Sequence, residues 1–381
     1  MISRVTWRTG MAAAILLLAA TQAFAGEDGI TADTILLGRS AGITGAQAGP
    51  VQENGAGAQL YFDQINKRGG VYGRKIVVKT LDDGYDPKRT VENVKELIEK
   101  DKVFALFLMR GTANNEAAIP VFTAAKVPNF APLSPATTMS EPFQKYIFNV
   151  RARSSTEIEK IIQEMITLDI KKIGIAYAQD GLGQDVLAGS EKALKKYNLT
   201  SVAKVSFPRT ATQFDQQIKQ LVAAEPQAVI VGAVSKPAAA FIRAMKKAGI
   251  AAQIFVLSNA SSQTFINDLG EDGRGVGVTQ VVPFPWGADT MVAREFVKAV
   301  KEHPIVAVTH GSLEGYISAK VMVEGLMRAG PQPTRLKFIS GLESMKNVDI
   351  GGMKISYSPE NHQGSNFVEL TVIGKDGKFM R

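Results

Sequence analysis

Very little in this sequence could make or break a covalent bond. There is no cysteine, so thiol catalysis and cysteine-ligated metals are excluded. The three histidines, His303, His310 and His362, are isolated, and none pairs with another ligand at metal-binding spacing. No G-x-S-x-G elbow or phosphate-binding loop occurs, and Gly181-x-Gly183 lacks the third glycine of a dinucleotide fingerprint. Glu157 with Glu159, and Glu295 with Glu302, read as solvated helix faces rather than as paired acid and base. The sequence therefore implies no enzyme, no cofactor and no metal. An exported hydrolase is the competing class, which would need a nucleophile beside a base and would turn over any captured ligand.

What remains is the chemistry of holding a small molecule. Arg110-Gly111-Thr112 places a fixed cation, main-chain N–H groups and a hydroxyl in three consecutive positions. The flanking elements give that triplet its setting. Val103 to Leu108 (VFALFL) reads as a short strand buried on both faces, as in a parallel sheet, and Ala113 to Ala125 as a helix. Such a strand-to-helix turn lies at the carboxyl edge of a sheet, where open α/β folds bind ligands. Two readings are open on these residues alone: a cation facing a ligand, or an ordinary turn whose arginine meets solvent.

Strands and helices alternate along the whole chain. Thr34 to Gly38 is a strand candidate before a glycine-rich turn, and Val51 to Lys67 is a helix stopped by Gly69-Gly70. Lys75 to Leu81 is a strand, Asp86-Pro87 opens a helix, and Val127 to Ala131 is a further strand. The alternation restarts after Asn149-Val150-Arg151 and runs to about residue 282. The fold class expected is therefore α/β, with two doubly wound parallel-sheet units. Three more helices, near 290–301, 311–329 and 334–344, exceed what the second unit needs, so the chain is expected to cross back to complete the first. Several crossings between two lobes make a hinge with a cleft beside it.

Residues 1–25 join Arg4 and Arg8, an apolar block from Met11 to Ala20 and the small-x-small site Ala23-Phe24-Ala25, which is the pattern of a secretory signal peptide. Its apolar part is too short for a permanent anchor, so the mature chain is expected to be exported and not membrane-spanning. The formal charge of +8 over 381 residues is mild, and no basic cluster interleaved with aromatics appears, so nucleic acid is not an expected partner.

Several local patterns now bear on family. Gly69-Gly70-Val71-Tyr72-Gly73-Arg74, Asp82-Asp83 with Asp86-Pro87-Lys88, Pro132 to Thr138 (PLSPATT) and Asp180-Gly181-Leu182-Gly183-Gln184 follow one another in fixed order. Together the chain resembles the periplasmic solute-binding proteins of the leucine/isoleucine/valine-binding type, the capture components of ATP-binding-cassette importers. The resemblance implies a type 1 periplasmic-binding fold with three crossings, near 150, 280 and 352. Residues 26–150 and 283–352 would form the first lobe, and 151–282 and 353–381 the second. It implies a periplasmic location, a small-molecule ligand held by hinge closure, a membrane permease as partner and a monomeric state. A sensory protein presenting its ligand to a receptor would share every one of these features except the partner.

In amino-acid-binding members, the segments matching Arg110-Gly111-Thr112 and Ser134 to Thr138 hold the ligand carboxylate. The resemblance so carries Arg110, Gly111, Thr112, Ser134, Ala136, Thr137 and Thr138 into the expected site. Charge-assisted bonds of this kind contribute roughly 1.5–3 kcal/mol each, so three or four approach the roughly 8 kcal/mol of micromolar binding. The family's acidic partner for an α-ammonium falls at Asn259, and its aromatic walls fall near Ala48, Leu182 and Ala233. The positions of its first-lobe disulfide fall near Tyr85 and Met109. An ammonium buried without a counter-ion costs several kcal/mol. The expected ligand is thus an organic or aromatic acid, a dicarboxylate or an amide in a roomy pocket, rather than a branched-chain amino acid; an amino-acid-binding member is the alternative. Trp286, in Pro283-Phe284-Pro285-Trp286, could roof the cleft or pack a hinge.

Overall fold

The computed structural model describes residues 26–45, 47–287 and 289–381; the expected signal peptide lies outside them. The first lobe opens with β1 (Thr34–Ala41), α1 (Ala48–Lys67), β2 (Lys75–Asp82), α2 (Pro87–Glu99), β3 (Ala105–Phe107), α3 (Thr112–Ala124), β4 (Asn129–Phe130) and β5 (Ile147–Phe148). Its sheet is parallel throughout, in the order β2-β1-β3-β4-β5, with Leu37 of β1 opposite Val78 on one side and Ala105 on the other. Strand order reverses between β1 and β3, so the crevice at their carboxyl ends is where this topology places a ligand.

The second lobe repeats the scheme with α4 (Ser154–Thr167), β6 (Ile173–Ala178), α5 (Gly181–Lys195), β7 (Ala203–Phe207), α6 (Asp215–Ala224), β8 (Ala228–Gly232), α7 (Ser235–Lys247), β9 (Gln253–Val256), α8 (Gln263–Leu269) and β10 (Gly277–Gln280). The chain then supplies α9 (Met291–Glu302), α10 (His310–Ala329), α11 (Arg335–Glu343), β11 (Val348–Asp349), β12 (Lys354–Ile355), β13 (Glu369–Ile373) and β14 (Phe379–Met380). The second sheet has the order β14-β13-β10-β9-β8-β6-β7, with β13 and β14 antiparallel at one edge. The chain therefore forms the two doubly wound lobes expected from its alternation.

Local chemistry explains the boundaries. The expected six-residue strand at Val103 shrinks to Ala105–Phe107 because Leu108 takes a left-handed φ of 53° and Lys102 one of 55°, which end the extended run on both sides. Asp86 caps α2 by accepting from the Arg89 N–H, with Pro87 pre-set for the first turn. Asp180 caps α5 in the same way through Gly183. Thr309 and Ser312 cap α10 reciprocally.

Helices α9 to α11 return to the first lobe. Leu313, Ile317 and Phe338 share one buried cluster with Leu37, Phe62, Phe107 and Phe130. The contact of α1 with α10 depends on two glycines. A Cβ on Gly57 would lie 1.7 Å from the Ser312 oxygen, and one on Gly315 would lie 1.9 Å from the Asn54 oxygen. Met353, Ile355 and Tyr357 belong to the same cluster, so the boundary expected at 352 falls inside first-lobe packing. The last passage of the chain runs beside the first one instead: Asn149 pairs with Gln363 in a parallel bridge, and the Tyr357 hydroxyl donates to the Asn149 oxygen at 3.0 Å.

Candidate functional site

Arg110 leaves the carboxyl end of β3 and is buried between the lobes, not in solvent. Its Nε donates to Gln47 Oε1 at 2.9 Å, one terminal nitrogen to Asn54 Oδ1 at 3.1 Å, and the other to the main-chain oxygen of Asn259 at 3.1 Å. The first two acceptors belong to the first lobe and the third to the second. Among the described residues no carboxylate touches it, although Glu53 and Glu314 are near enough to favour its charge. Burial holds its pKa below the ordinary guanidinium value, with Arg151 adding to the effect. The result is a desolvated cation aimed across a cleft and solvated only by neutral oxygens.

Gly111 holds the turn that makes this possible. Its φ is 102°, and a Cβ there would lie 2.6 Å from the Tyr85 ring. The Thr112 and Ser134 hydroxyls stand 2.9 Å apart, both buried, at the ends of β3 and β4. Ala136 is buried beside them, and its N–H faces Ser134 Oγ at 3.4 Å. Thr137 donates its N–H to Asp185 on α5 at 3.1 Å, a second link between lobes. Thr138 points away, exposed, with its hydroxyl on Glu116 at 2.8 Å.

On the facing lobe, Leu182 and Ala233 follow β6 and β8, the pair at which that sheet reverses order, and both are buried. Asn259 follows β9; its side-chain amide donates to the Ala233 oxygen at 3.0 Å, which leaves its own main-chain oxygen for Arg110. Ala48 begins α1, next to Gln47. The expected residues thus gather where the carboxyl edges of the two sheets meet, with Thr138 turned outward.

The space beside Arg110 is small. The space among Pro50, Glu53, Asn54, Arg110, Ser258 and Glu314 is about 10 Å³, enough for about one water. Arg110 reaches into it, and Tyr85 fills the neighbouring ground. Tyr85, of the first lobe, packs against the second-lobe cluster that contains Leu182. Arg209 covers the Tyr85 ring at 4.4 Å and donates to the Tyr85 oxygen at 3.3 Å. The Tyr85 backbone is left-handed (φ 64°), held there by the Asp83 carboxylate, which accepts from the Tyr85 N–H at 2.8 Å and from Ser40 and Thr90.

The absence of an ammonium partner, expected from Asn259, also needs correction. Glu53 and Glu314 both line the cleft from the first lobe. Glu53 accepts from the Thr309 hydroxyl at 2.8 Å and from the Gln263 N–H of the second lobe at 2.9 Å. Burial outweighs those bonds and raises its pKa above the usual carboxylate value. Glu314 lies 3.4 Å from Arg151 and 3.3 Å from Asn54 Nδ2.

Glu157, read as a solvated helix face, is fully buried. It lies 3.5 Å from Arg151 and accepts from Thr279 Oγ1 at 2.6 Å and the Ser258 N–H at 2.8 Å. Burial raises its pKa, opposed by Arg151. It sits in the first turn of α4, where a polar stretch hides the fact that this turn faces the inter-lobe crossing. Glu159 and Glu295 pair on the surface with Lys196 and with Lys320 at 2.5 Å. Trp286 packs the second crossing, with Phe284 at 5.1 Å and His310 at 5.3 Å. Among the described residues no group of histidines and carboxylates could hold a metal ion, and no helix is long and apolar enough to cross a membrane.

Residues 34–378 match the family model described as periplasmic binding protein. A substrate-binding periplasmic protein from Ralstonia solanacearum is 32% identical, with a TM-score of 0.84, over 91% of this chain and 99% of that one. A possible leucine/isoleucine/valine-binding protein from Rhodopirellula baltica is 25% identical, with a TM-score of 0.86, over 93% and 97%. Leu/Ile/Val-binding protein homolog 7 of Brucella abortus is 25% identical over 350 residues, 86% of each chain.

Proposed function

This chain belongs to the periplasmic binding protein family, and from that membership we propose that it captures a small carboxylate-bearing molecule between its lobes. Capture takes place in the periplasm, and the closed complex is handed to the permease of an ATP-binding-cassette importer. The observation that carries the ligand class is Arg110. A buried guanidinium whose three donors meet only uncharged oxygens, one of them across the cleft, gains most from exchanging such a partner for a carboxylate. The hydroxyls of Thr112 and Ser134, paired at 2.9 Å, stand at the neighbouring strand ends as further donors. On this reading the ligand is an organic acid, dicarboxylate or amide held through its oxygens, rather than leucine or valine.

A second reading has an observation of its own. Glu53 and Glu314 line the same cleft and could hold an α-ammonium while Arg110 takes the carboxylate, which is the zwitterion of an amino acid. The names of the Rhodopirellula and Brucella relatives favour it.

Thermal melting against organic acids, dicarboxylates, amides and aliphatic amino acids separates the two. A ligand at a hundred times its Kd stabilises by about 2.7 kcal/mol, a shift of a few degrees. A shift with organic acids that vanishes in Arg110→Ala supports the first reading. A shift with leucine or valine that vanishes in Glu53→Gln establishes the second. Loss of uptake on gene deletion distinguishes transport from sensing.

A further inference from the structure

One sizeable pocket lies outside the residues gathered in the cleft. It is a pocket of about 440 Å³ on the second lobe, between the loop that follows β7 and the outer face of α7. Its wall is apolar along Ala211, Pro237 and Ala240, and three cations, Arg209, Lys236 and Arg243, stand around it with one carboxylate, Asp268. Two of those cations, Lys236 and Arg243, are exposed and meet no carboxylate of the described residues. Lys236 makes no ion pair or hydrogen bond among the described residues. Arg243 reaches only the main-chain oxygen of Asp268, at 3.1 Å. Arg209 has a long ion pair with Asp180, at 3.9 Å.

We infer that this pocket is a second ligand site, which takes an amphipathic organic anion: one carboxylate on an apolar body of roughly ten to fifteen heavy atoms, the size such a volume accommodates. The apolar wall argues against a bare inorganic anion, and the three cations around it argue against a neutral hydrocarbon. The site is also tied to lobe closure. Arg209 lines the pocket and, at the same time, covers the ring and holds the oxygen of Tyr85 from the first lobe. An anion that draws Arg209 toward the pocket weakens that hold, so occupancy and closure oppose each other, and by linkage each reduces the other equally. This reading does not depend on what the cleft binds.

The test is isothermal titration of the mature protein with octanoate, and with 1-octanol and inorganic phosphate as controls. Octanoate is expected to bind and both controls to fail. Lys236→Ala/Arg243→Ala is expected to weaken octanoate by about tenfold or more, as loss of charge-assisted contacts does, and Ala240→Trp to abolish binding by filling the pocket. Tyr85→Ala, which frees Arg209, is expected to tighten it. Arg110→Ala removes one inter-lobe bond, so octanoate is expected to stay bound at the pocket and, by the same linkage, to bind there no more weakly. Binding lost in Arg110→Ala but kept in the pocket variants assigns octanoate to the cleft and overturns the second site. Equal binding of octanol or phosphate overturns the ligand class. No octanoate binding overturns the site itself, and leaves the cleft reading standing on its own melting data.

Discussion

The guanidinium of Arg110 and the main-chain oxygen of Asn259 stand 3.1 Å apart, on different lobes, with no other side chain needed between them. Arg110 also ties Gln47 to Asn54 within the first lobe. Its removal therefore affects more than a ligand. Arg110→Ala is expected to weaken an anionic ligand by at least about tenfold and to cost about 1–3 kcal/mol of stability by stranding buried acceptors. Arg110→Lys keeps the charge but not the fork, and should recover stability better than affinity. Calorimetric titration beside urea unfolding measures both.

Arg151 links α4 to α10, lying 3.5 Å from Glu157 and 3.4 Å from Glu314, with all three buried. Removing one partner of such a pair leaves an uncompensated buried charge, so Arg151→Met should destabilise by about 3–5 kcal/mol. Arg151→Met/Glu157→Met should recover part of that loss. A denaturant titration in which the double variant is no more stable than the single would show that Glu157 incurs no cost on losing Arg151 and that the two charges are not coupled.

Gly49, near the start of α1, faces α8 of the other lobe so closely that a Cβ would lie 2.0 Å from Thr264 Oγ1. A large side chain here should hold the lobes apart without entering either core. Gly49→Phe is expected to raise the radius of gyration in small-angle scattering, and to weaken cleft ligand in proportion to the lost closed population, about tenfold for a tenfold loss. Melting of the unliganded protein should move little.

His310 is buried among Phe284, Trp286 and Phe379, with neither ring nitrogen hydrogen-bonded, and burial pushes its pKa down from 6.5 to about 3, with Arg381 adding to the shift. The folded state holds it neutral, while the unfolded chain takes up a proton below pH 6.5. Its contribution is therefore fully present above pH 6.5 and is lost as pH falls toward 3. Between pH 6.5 and 5 the loss should be about 1.5–2 kcal/mol. His310→Phe should flatten that stretch of the stability–pH curve.

The parts of this architecture that local sequence determines were readable from it. An apolar run buried on both faces announced β3 and so placed Arg110 at a sheet edge; Asp86-Pro87 announced the start of α2; surplus helices after residue 290 announced the return to the first lobe. What was hidden depends on distant partners. Glu157 looks solvated because its neighbours in the chain are polar, and its hydrogen-bond donors Ser258 and Thr279 lie a hundred or more residues on. Asn54 and Glu314 meet across 260 residues. Tyr85 gains its place from a left-handed backbone that no hydrophobic periodicity encodes.

The return of α9, α10 and α11 to the first lobe also sets how the molecule can be built. The first sheet is complete at residue 148, yet the helices whose Leu313, Ile317 and Phe338 fill its core lie beyond residue 290. The second sheet likewise waits for β13 and β14. Both halves join segments far apart in the chain, and loop-closure entropy must be met before those contacts form. A nascent chain released at residue 282 would hold the clusters around Phe122 and around Ile162 but lack the helices that cover the first sheet and the edge strands of the second, so each lobe is finished only when almost the whole polypeptide is present.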